Sequence, residues 1–218
     1  MTKNTTDSVK DAKSDHTQLG TNPTDASQRA MESNASKPFL SPIERPKGLV
    51  MKLVYLMTRR KFGKVLTPLA VFGARMPVAF GQFMGKISAL DKKLLLPEET
   101  AMLIRGQVAR INECSFCVDI GRWFVIESSM NEVKFEALAQ FSTSPLFDDA
   151  ERAALAYATE LTKDKKVTPS TFQRMSFFYS ERAICEIIWL VASEHFYNLS
   201  NIGLNIHSDK LCDIRADI

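Results

Sequence analysis

The chain has 218 residues, 45% of them apolar, with a formal net charge of +3. That length holds one medium domain, or a domain with a tail, and buries a core without disulfide support. So small a charge argues against a general polyanion binder. The basic group Arg59, Arg60, Lys61 and Lys64 has no matching stripe elsewhere and reads as a solvated helix end, not a nucleic-acid site.

Residues 1–38 are rich in Ser, Thr, Asn, Asp and Lys and almost lack aromatic or branched apolar side chains. Such a segment buries too little apolar surface to offset its ordering entropy. A disordered tail is therefore expected over 1–38 and a helical domain over 39–218. The N-terminus carries no apolar h-region followed by a cleavage site. The apolar stretches 53–57 and 66–74 are flanked by charge and fall short of the roughly 20 residues of a membrane span. A cytoplasmic protein with neither membrane nor nucleic-acid partners is expected.

Residues 39–48, with Pro42 and Pro46, read as an extended lead-in. From Leu49 the apolar spacing is helical, and Gly63 ends a first helix over 49–60. Pro68 and Pro77 open segments over 68–74 and 77–90, because proline is tolerated in a helix's first turn. Pro97, Glu98 and Glu99 open a helix to about Ile111, with the acidic side chains at its positive end. The cysteine pair opens the next, ending near Ser128, and 131–141 is short. Residues 148–163 form an amphipathic helix. Thr168 with Pro169 marks another start, and Ser180 caps a long apolar helix over 181–199 that should lie centrally. No alternating run bounded by turn residues occurs, so the fold class is all-α.

Cysteines stand at 114, 117, 185 and 212. One close pair in a chain this long is not a disulfide framework; in a reducing compartment it reads as a redox couple or half a metal site. Residues three apart share a helix face, so Cys114 and Cys117 bring their sulfurs together if the helix begins at the first of them. A helix N-terminus also favours a thiolate. The alternative is two small buried side chains. Gly121 lies on the same face and leaves room beside the sulfurs, for a substrate or for a neighbouring helix. Glu113 would raise a nearby thiol's pKa, and Asp119 lies about 200° around the helix from Cys117, so neither is a convincing base. Cys114, Cys117, Cys185 and His195 supply the ligand types of a zinc site without its usual spacing. No metal and no cofactor is expected. Cys212, near a frayed C-terminus, reads as incidental.

The run Glu99-Thr-Ala-Met-Leu-Ile-Arg-Gly-Gln-Val-Ala-Arg-Ile-Asn-Glu-Cys-Ser-Phe-Cys-Val-Asp-Ile-Gly121 resembles the central motif of the carboxymuconolactone decarboxylase and alkylhydroperoxidase D family. The stretches 59–69 and 189–209 look like the lead-in and closing helix of larger members, and the similarity spans about 49–208. The resemblance implies an all-helical domain that assembles as trimers or larger homo-oligomers. It also implies peroxide reduction by the thiol pair, drawing on a thiol reductant that the sequence does not identify. Cys117 would attack the peroxide, Cys114 would be its disulfide partner, and Phe116 would take the aromatic position between them. Two departures stand out. The family's histidine four residues after the second cysteine is here Gly121, and its glutamate twelve residues before the first is Met102. Together these form the proton relay that activates the thiol, and general-base assistance is worth about 10²–10⁴-fold. Weakened peroxidase activity is expected.

Candidate substitutes for the relay lie on the last long helix: Glu186, Glu194 and His195, ionisable groups in an otherwise apolar run. Bonding to backbone amides, solvent or an oligomer interface is the competing reading for the two carboxylates. Three functions are in play. The first is a thiol-dependent oxidoreductase acting on peroxides or disulfides. The others are a lactone decarboxylase-type lyase, whose chemistry does not use a CxxC pair, and a non-catalytic oligomeric binding protein on the same scaffold.

Overall fold

A computed structural model describes residues 37–216. The tail expected over 1–38 lies outside them, apart from its last two residues. The described chain runs through α1 (Leu49–Phe62), a π-helical segment (Leu69–Gly73), α2 (Pro77–Asp91), α3 (Glu98–Ile111) and α4 (Ser115–Glu127). It continues through α5 (Glu132–Glu136) into a 3₁₀ turn (Ala137–Gln140), then α6 (Asp149–Asp164), α7 (Pro169–Phe178), α8 (Glu181–Ile202) and α9 (Leu211–Ala216). No strand occurs among the described residues, and the fold is all-α.

Most helix starts follow local chemistry. At α6, the Asp148 side chain accepts from the Glu151 amide at 2.8 Å, and the Glu151 carboxylate accepts from the Asp148 amide at 2.9 Å. This capping box satisfies two otherwise orphaned donors. Thr168 and Ser180 cap α7 and α8 in the simpler way. α3 packs against α4, α6 and α8. Ile104 and Val108 of α3, Ala154 and Ala158 of α6, and Ile187 and Leu190 of α8 close one dry core. α8 is central, as its apolar sequence implies.

Three local expectations change. The segment opened by Pro68 is π-helical, with the Ala74 amide reaching back to the Leu69 carbonyl at 2.8 Å. α8 runs on to Ile202. The C-terminus is not frayed at Cys212. Leu211 is buried with Phe62 and Trp123, and its amide donates to both oxygens of Asp119 at 3.1 and 3.2 Å. Just upstream, the Asp209 carboxylate accepts from Lys64 at 2.7 Å and from the Thr67 amide at 2.8 Å. These contacts fasten the chain's end across α1 and α4.

The basic end of α1 is exposed at Arg59, Arg60 and Lys61, with the Lys61 ammonium 4.9 Å from the Phe124 ring centroid. α2 buries only Ile87, while Val78, Phe83 and Leu90 remain exposed.

Candidate functional site: a disulfide at the start of α4

The sequence between α3 and α4 is shaped to deliver two sulfurs to one point. α3 ends at Ile111, and the chain reverses through Glu113 in a left-handed conformation (φ 56°). The Cys114 amide then bonds back to the Ala109 carbonyl at 3.0 Å. Cys114 is the N-cap of α4, and its sulfur accepts from the Cys117 amide at 3.3 Å. With Cα atoms 5.3 Å apart, Cys114 and Cys117 are joined as a disulfide.

Both cysteines are buried, Cys114 at 1% and Cys117 at 6% exposure. Their shell is apolar: Val71, Ala109, Phe116 and Ile206, with Leu66, Ile120, Tyr197 and Leu204 partly covering it. One polar side chain enters it. The Asn201 amide nitrogen lies 3.4 Å from the Cys117 sulfur and 3.9 Å from that of Cys114.

Asn201 ends a polar stripe on α8 made by Glu194, Asn198 and Asn201, at positions i, i+4 and i+7 of one helix face. Asn198 donates to Glu194 at 2.7 Å and accepts from Asn112 at 2.8 Å. Asn112 also meets Nδ1 of His195 at 3.2 Å. The other Glu194 oxygen accepts from Arg105 at 3.2 Å, and Arg105 also holds Asp91 at 2.8 Å. Asp91 accepts from Trp189 at 3.0 Å. Burial pushes the Glu194 carboxyl up, opposed by the Arg105 charge. Burial, helped by Lys165, pulls the His195 pKa down, so its Nδ1 is assigned as the acceptor of a neutral ring.

The sequence-proposed relay substitutes are thus bonded elsewhere. Glu194 and His195 belong to the stripe's network and bond neither sulfur. Glu186 lies 15 residues before Asn201, about 22 Å along the helix at 1.5 Å per residue. Its oxygens accept from the amides of Leu95 (2.8 Å) and Leu96 (3.1 Å) and from Arg182 (2.8 Å), clamping the lead-in to α3. Asn198, Asn201, Asn112 and Arg105 were missed by sequence reasoning. Two asparagines three apart in an apolar helix, in phase with Glu194, were the available signal.

The two relay positions are filled by packing. Phe135 of α5 inserts its ring between Gly106 of α3 and Gly121 of α4. A Cβ at Gly106 would overlap the ring, and one at Gly121 would stand 3.2 Å from it. Met102 packs in the same cluster with Phe135, Leu138 and Phe147. The room left by Gly121 is therefore taken by a neighbouring helix. α5 is held there by Lys134, whose ammonium bonds Glu151 at 2.5 Å and lies 3.6 Å from Glu99.

On its outer face α4 lines an open cleft of about 850 Å³ with Ser115, Val118, Asp119 and Arg122, facing Arg110, Lys163 and Lys210. Neither Cys114 nor Cys117 lines it. Asp119 accepts from Ser208 at 2.9 Å besides capping α9, and it makes no contact with the sulfurs. Among the described residues no group of three or more His, Cys, Asp or Glu is placed to hold a metal. Cys185 is exposed, sixteen residues before Asn201 and so about 24 Å along α8.

No family model matches the chain. The uncharacterized protein YnjA of Escherichia coli strain K12 is 30% identical over 174 residues, which cover 76% of this chain and 92% of the relative. This chain shares its fold with the alkylhydroperoxidase AhpD core of an uncharacterized peroxidase-related protein from Ralstonia eutropha JMP134, at TM-score 0.66. The chain belongs to one family with YnjA and has an alkylhydroperoxidase D-like fold. The Ralstonia protein is 17% identical, over 78% of this chain and 93% of that one. The debrominase Bmp8, solved as an alanine variant with 2,3,4-tribromopyrrole, matches at TM-score 0.70 and 21% identity, over 83% of this chain and 97% of Bmp8. At these identities the two solved structures establish an alkylhydroperoxidase D-like fold. Among the described residues, no helix is long and apolar enough to cross a membrane.

Proposed function

We propose that the protein is a thiol-dependent oxidoreductase that reduces small peroxides through the Cys114–Cys117 pair. The observation that carries this is the disulfide at the N-cap of α4, with a buried amide aimed at its sulfurs. In the reduced protein the Cys117 thiolate attacks the outer oxygen of a hydroperoxide. The O–O bond breaks, a proton goes to the departing alkoxide, and Cys117 becomes a sulfenic acid. The Cys114 thiol displaces water from it and re-forms the disulfide. A dithiol reductant then returns the two electrons, as cycling in a reducing cytoplasm requires. Cys117 takes the attacking role because the family resemblance places the peroxide-attacking thiol there, and it is the slightly more exposed of the two residues.

The filled relay positions support a slow enzyme. With Phe135 packed against Gly121 and in one cluster with Met102, no carboxylate–imidazole pair stands at those positions. Assembly as a homo-oligomer belongs to the same proposal: α2 leaves Val78 and Leu90 exposed in the single chain.

A second reading shares the thiol chemistry. Bmp8 is named a debrominase, and reductive removal of bromine from an aromatic ring is also a two-electron reduction. Steady-state assays with a dithiol donor test both, using hydrogen peroxide, an organic hydroperoxide and 2,3,4-tribromopyrrole in parallel. Peroxide turnover abolished by Cys117→Ser supports the first reading. Turnover of the bromopyrrole alone supports the second, and turnover of none by a reduced, folded protein leaves the non-catalytic scaffold.

A further inference from the structure

We infer that Asn201 stabilises the Cys117 thiolate, supplying by hydrogen bonding part of the activation for which the family uses a proton relay. This rests on the thiol-redox reading above and adds a residue to its machinery.

The sulfurs sit in a shell that disfavours charge. Val71 of the π-helical segment, Ala109 of α3, Phe116 and Ile120 of α4, and Leu204 and Ile206 beyond α8 surround them with hydrocarbon. Burial of this kind raises a thiol's pKa. The titratable side chain in the shell is Tyr197, whose hydroxyl burial pushes up to about 12, so it brings no charge at neutral pH. The charged groups of the neighbouring elements are engaged away from the sulfurs: Asp119 with α9, Glu194 with Arg105 and Asn198. Neutral His195 meets Asn112.

Against that penalty stand two kinds of donor. One is the start of α4, where the Cys117 amide points at Cys114. The other is Asn201, itself 6% exposed, with its amide nitrogen nearer Cys117 than Cys114. Its backbone is fixed: the Asn201 carbonyl accepts from the amides of Leu204 at 3.2 Å and Ile206 at 2.9 Å, which closes the turn after α8. A donor so held needs little reorganisation when charge appears on the sulfur.

The effect differs between the two redox states. A neutral disulfide is a weak acceptor. When a dithiol delivers two electrons, the S–S bond breaks, Cys114 keeps one proton, and a second proton leaves Cys117. The bond from Asn201 then becomes charge-assisted and strengthens. Such bonds are worth enough to move a thiol pKa by about one to two units. The same preference for the reduced form makes the pair easier to reduce.

The test uses the full chain with Asn201→Leu, which keeps the branched shape of the side chain without its polar atoms, and Asn201→Asp, which replaces the donor by an acceptor and a charge. Asn198→Leu, one turn earlier on the same stripe, reports purely structural effects. The readouts are the pH dependence of iodoacetamide alkylation at Cys117, followed by peptide mass, and the exchange equilibrium with a dithiol–disulfide buffer. Asn201→Leu should raise the Cys117 pKa by about one to two units and shift the exchange equilibrium about 10- to 100-fold toward the disulfide. Asn201→Asp should raise it at least as far, and Asn198→Leu should leave it in place. An unmoved pKa in both Asn201 variants overturns the assignment to Asn201 while the redox reading stands. An equal shift in Asn198→Leu overturns it too, because the effect would then be general loosening of α8. A wild-type pair that never cycles between thiols and disulfide overturns both.

Discussion

Phe135 and Gly121 meet where the family resemblance would put a relay histidine: a Cβ on Gly121 would lie 3.2 Å from the tip of the Phe135 ring. The ring is 1% exposed, and on its other side it leaves no room for a side chain at Gly106. Restoring a histidine by single substitution therefore adds atoms to a filled core. Gly121→His should destabilise by about 1–3 kcal/mol and bring little gain in peroxide turnover. Denaturant unfolding with steady-state assays checks both. The pair Gly121→His with Phe135→Ala should recover part of the stability lost relative to Phe135→Ala alone, because the imidazole then enters a cavity.

The other side of the same slot gives a sharper packing test. Gly106→Ala places a methyl group inside the Phe135 ring, so α5 must move and strain its Lys134 contacts to Glu151 and Glu99. A loss of about 1–3 kcal/mol is expected. Phe135→Ala should cost about 3–5 kcal/mol through the cavity it leaves. Urea midpoints at constant m-value measure each.

Glu186 is expected to act on stability and not on turnover. Burial works against its ionisation, but Arg182 and the amides of Leu96 and Leu95 outweigh that and hold the carboxyl below 4.5. Its contribution is then complete above the ordinary carboxylate value and is lost as pH falls through the lower folded value. Glu186→Ala should cost about 1–3 kcal/mol at pH 7, since the Leu96 amide is left buried without a partner. The gap from wild type should close as pH falls through that lowered folded value, with peroxide turnover unchanged. Melts across a pH series follow it.

Arg105 is the single cation bonded to both Asp91 and Glu194 beneath the polar stripe. Arg105→Ala leaves a buried carboxylate uncompensated, and breaking such a pair costs about 3–5 kcal/mol. Adding Glu194→Gln to that variant should recover much of the loss, because the neutral amide needs no counter-charge. A double-mutant cycle by denaturation reads the coupling.

Uncovered apolar side chains on α2 imply self-association. Light scattering on the purified chain should give a mass above one copy, and Val78→Glu with Leu90→Glu should lower it without unfolding the chain.

What could be read from the sequence divides along physical lines. α6 was legible because Asp148 and Glu151 write a capping box into four residues, and α3 because Pro97 and two glutamates mark its start. Local rules suffice where the determinant is local. The cysteine pair was legible for the same reason, since a three-residue spacing at a helix start fixes both sulfurs. The partner of Gly121 was not, because Phe135 arrives from another helix and its direction depends on the bonds of Lys134. α9 was missed because it is capped by Asp119, about 90 residues earlier. Asn201 lay within reach of helical phase, but asparagine in an apolar helix carries no chemical signature until its neighbour is known to be sulfur.

The most direct measurement follows the redox state of Cys114 and Cys117 themselves. The chain is reduced with a dithiol, freed of it, exposed to one equivalent of hydrogen peroxide, and its peptides are weighed. The redox reading expects the peptide holding both cysteines to lose two hydrogen atoms and regain them on renewed reduction, with Cys185 and Cys212 still alkylatable. A pair that stays as two thiols through the peroxide treatment would contradict it.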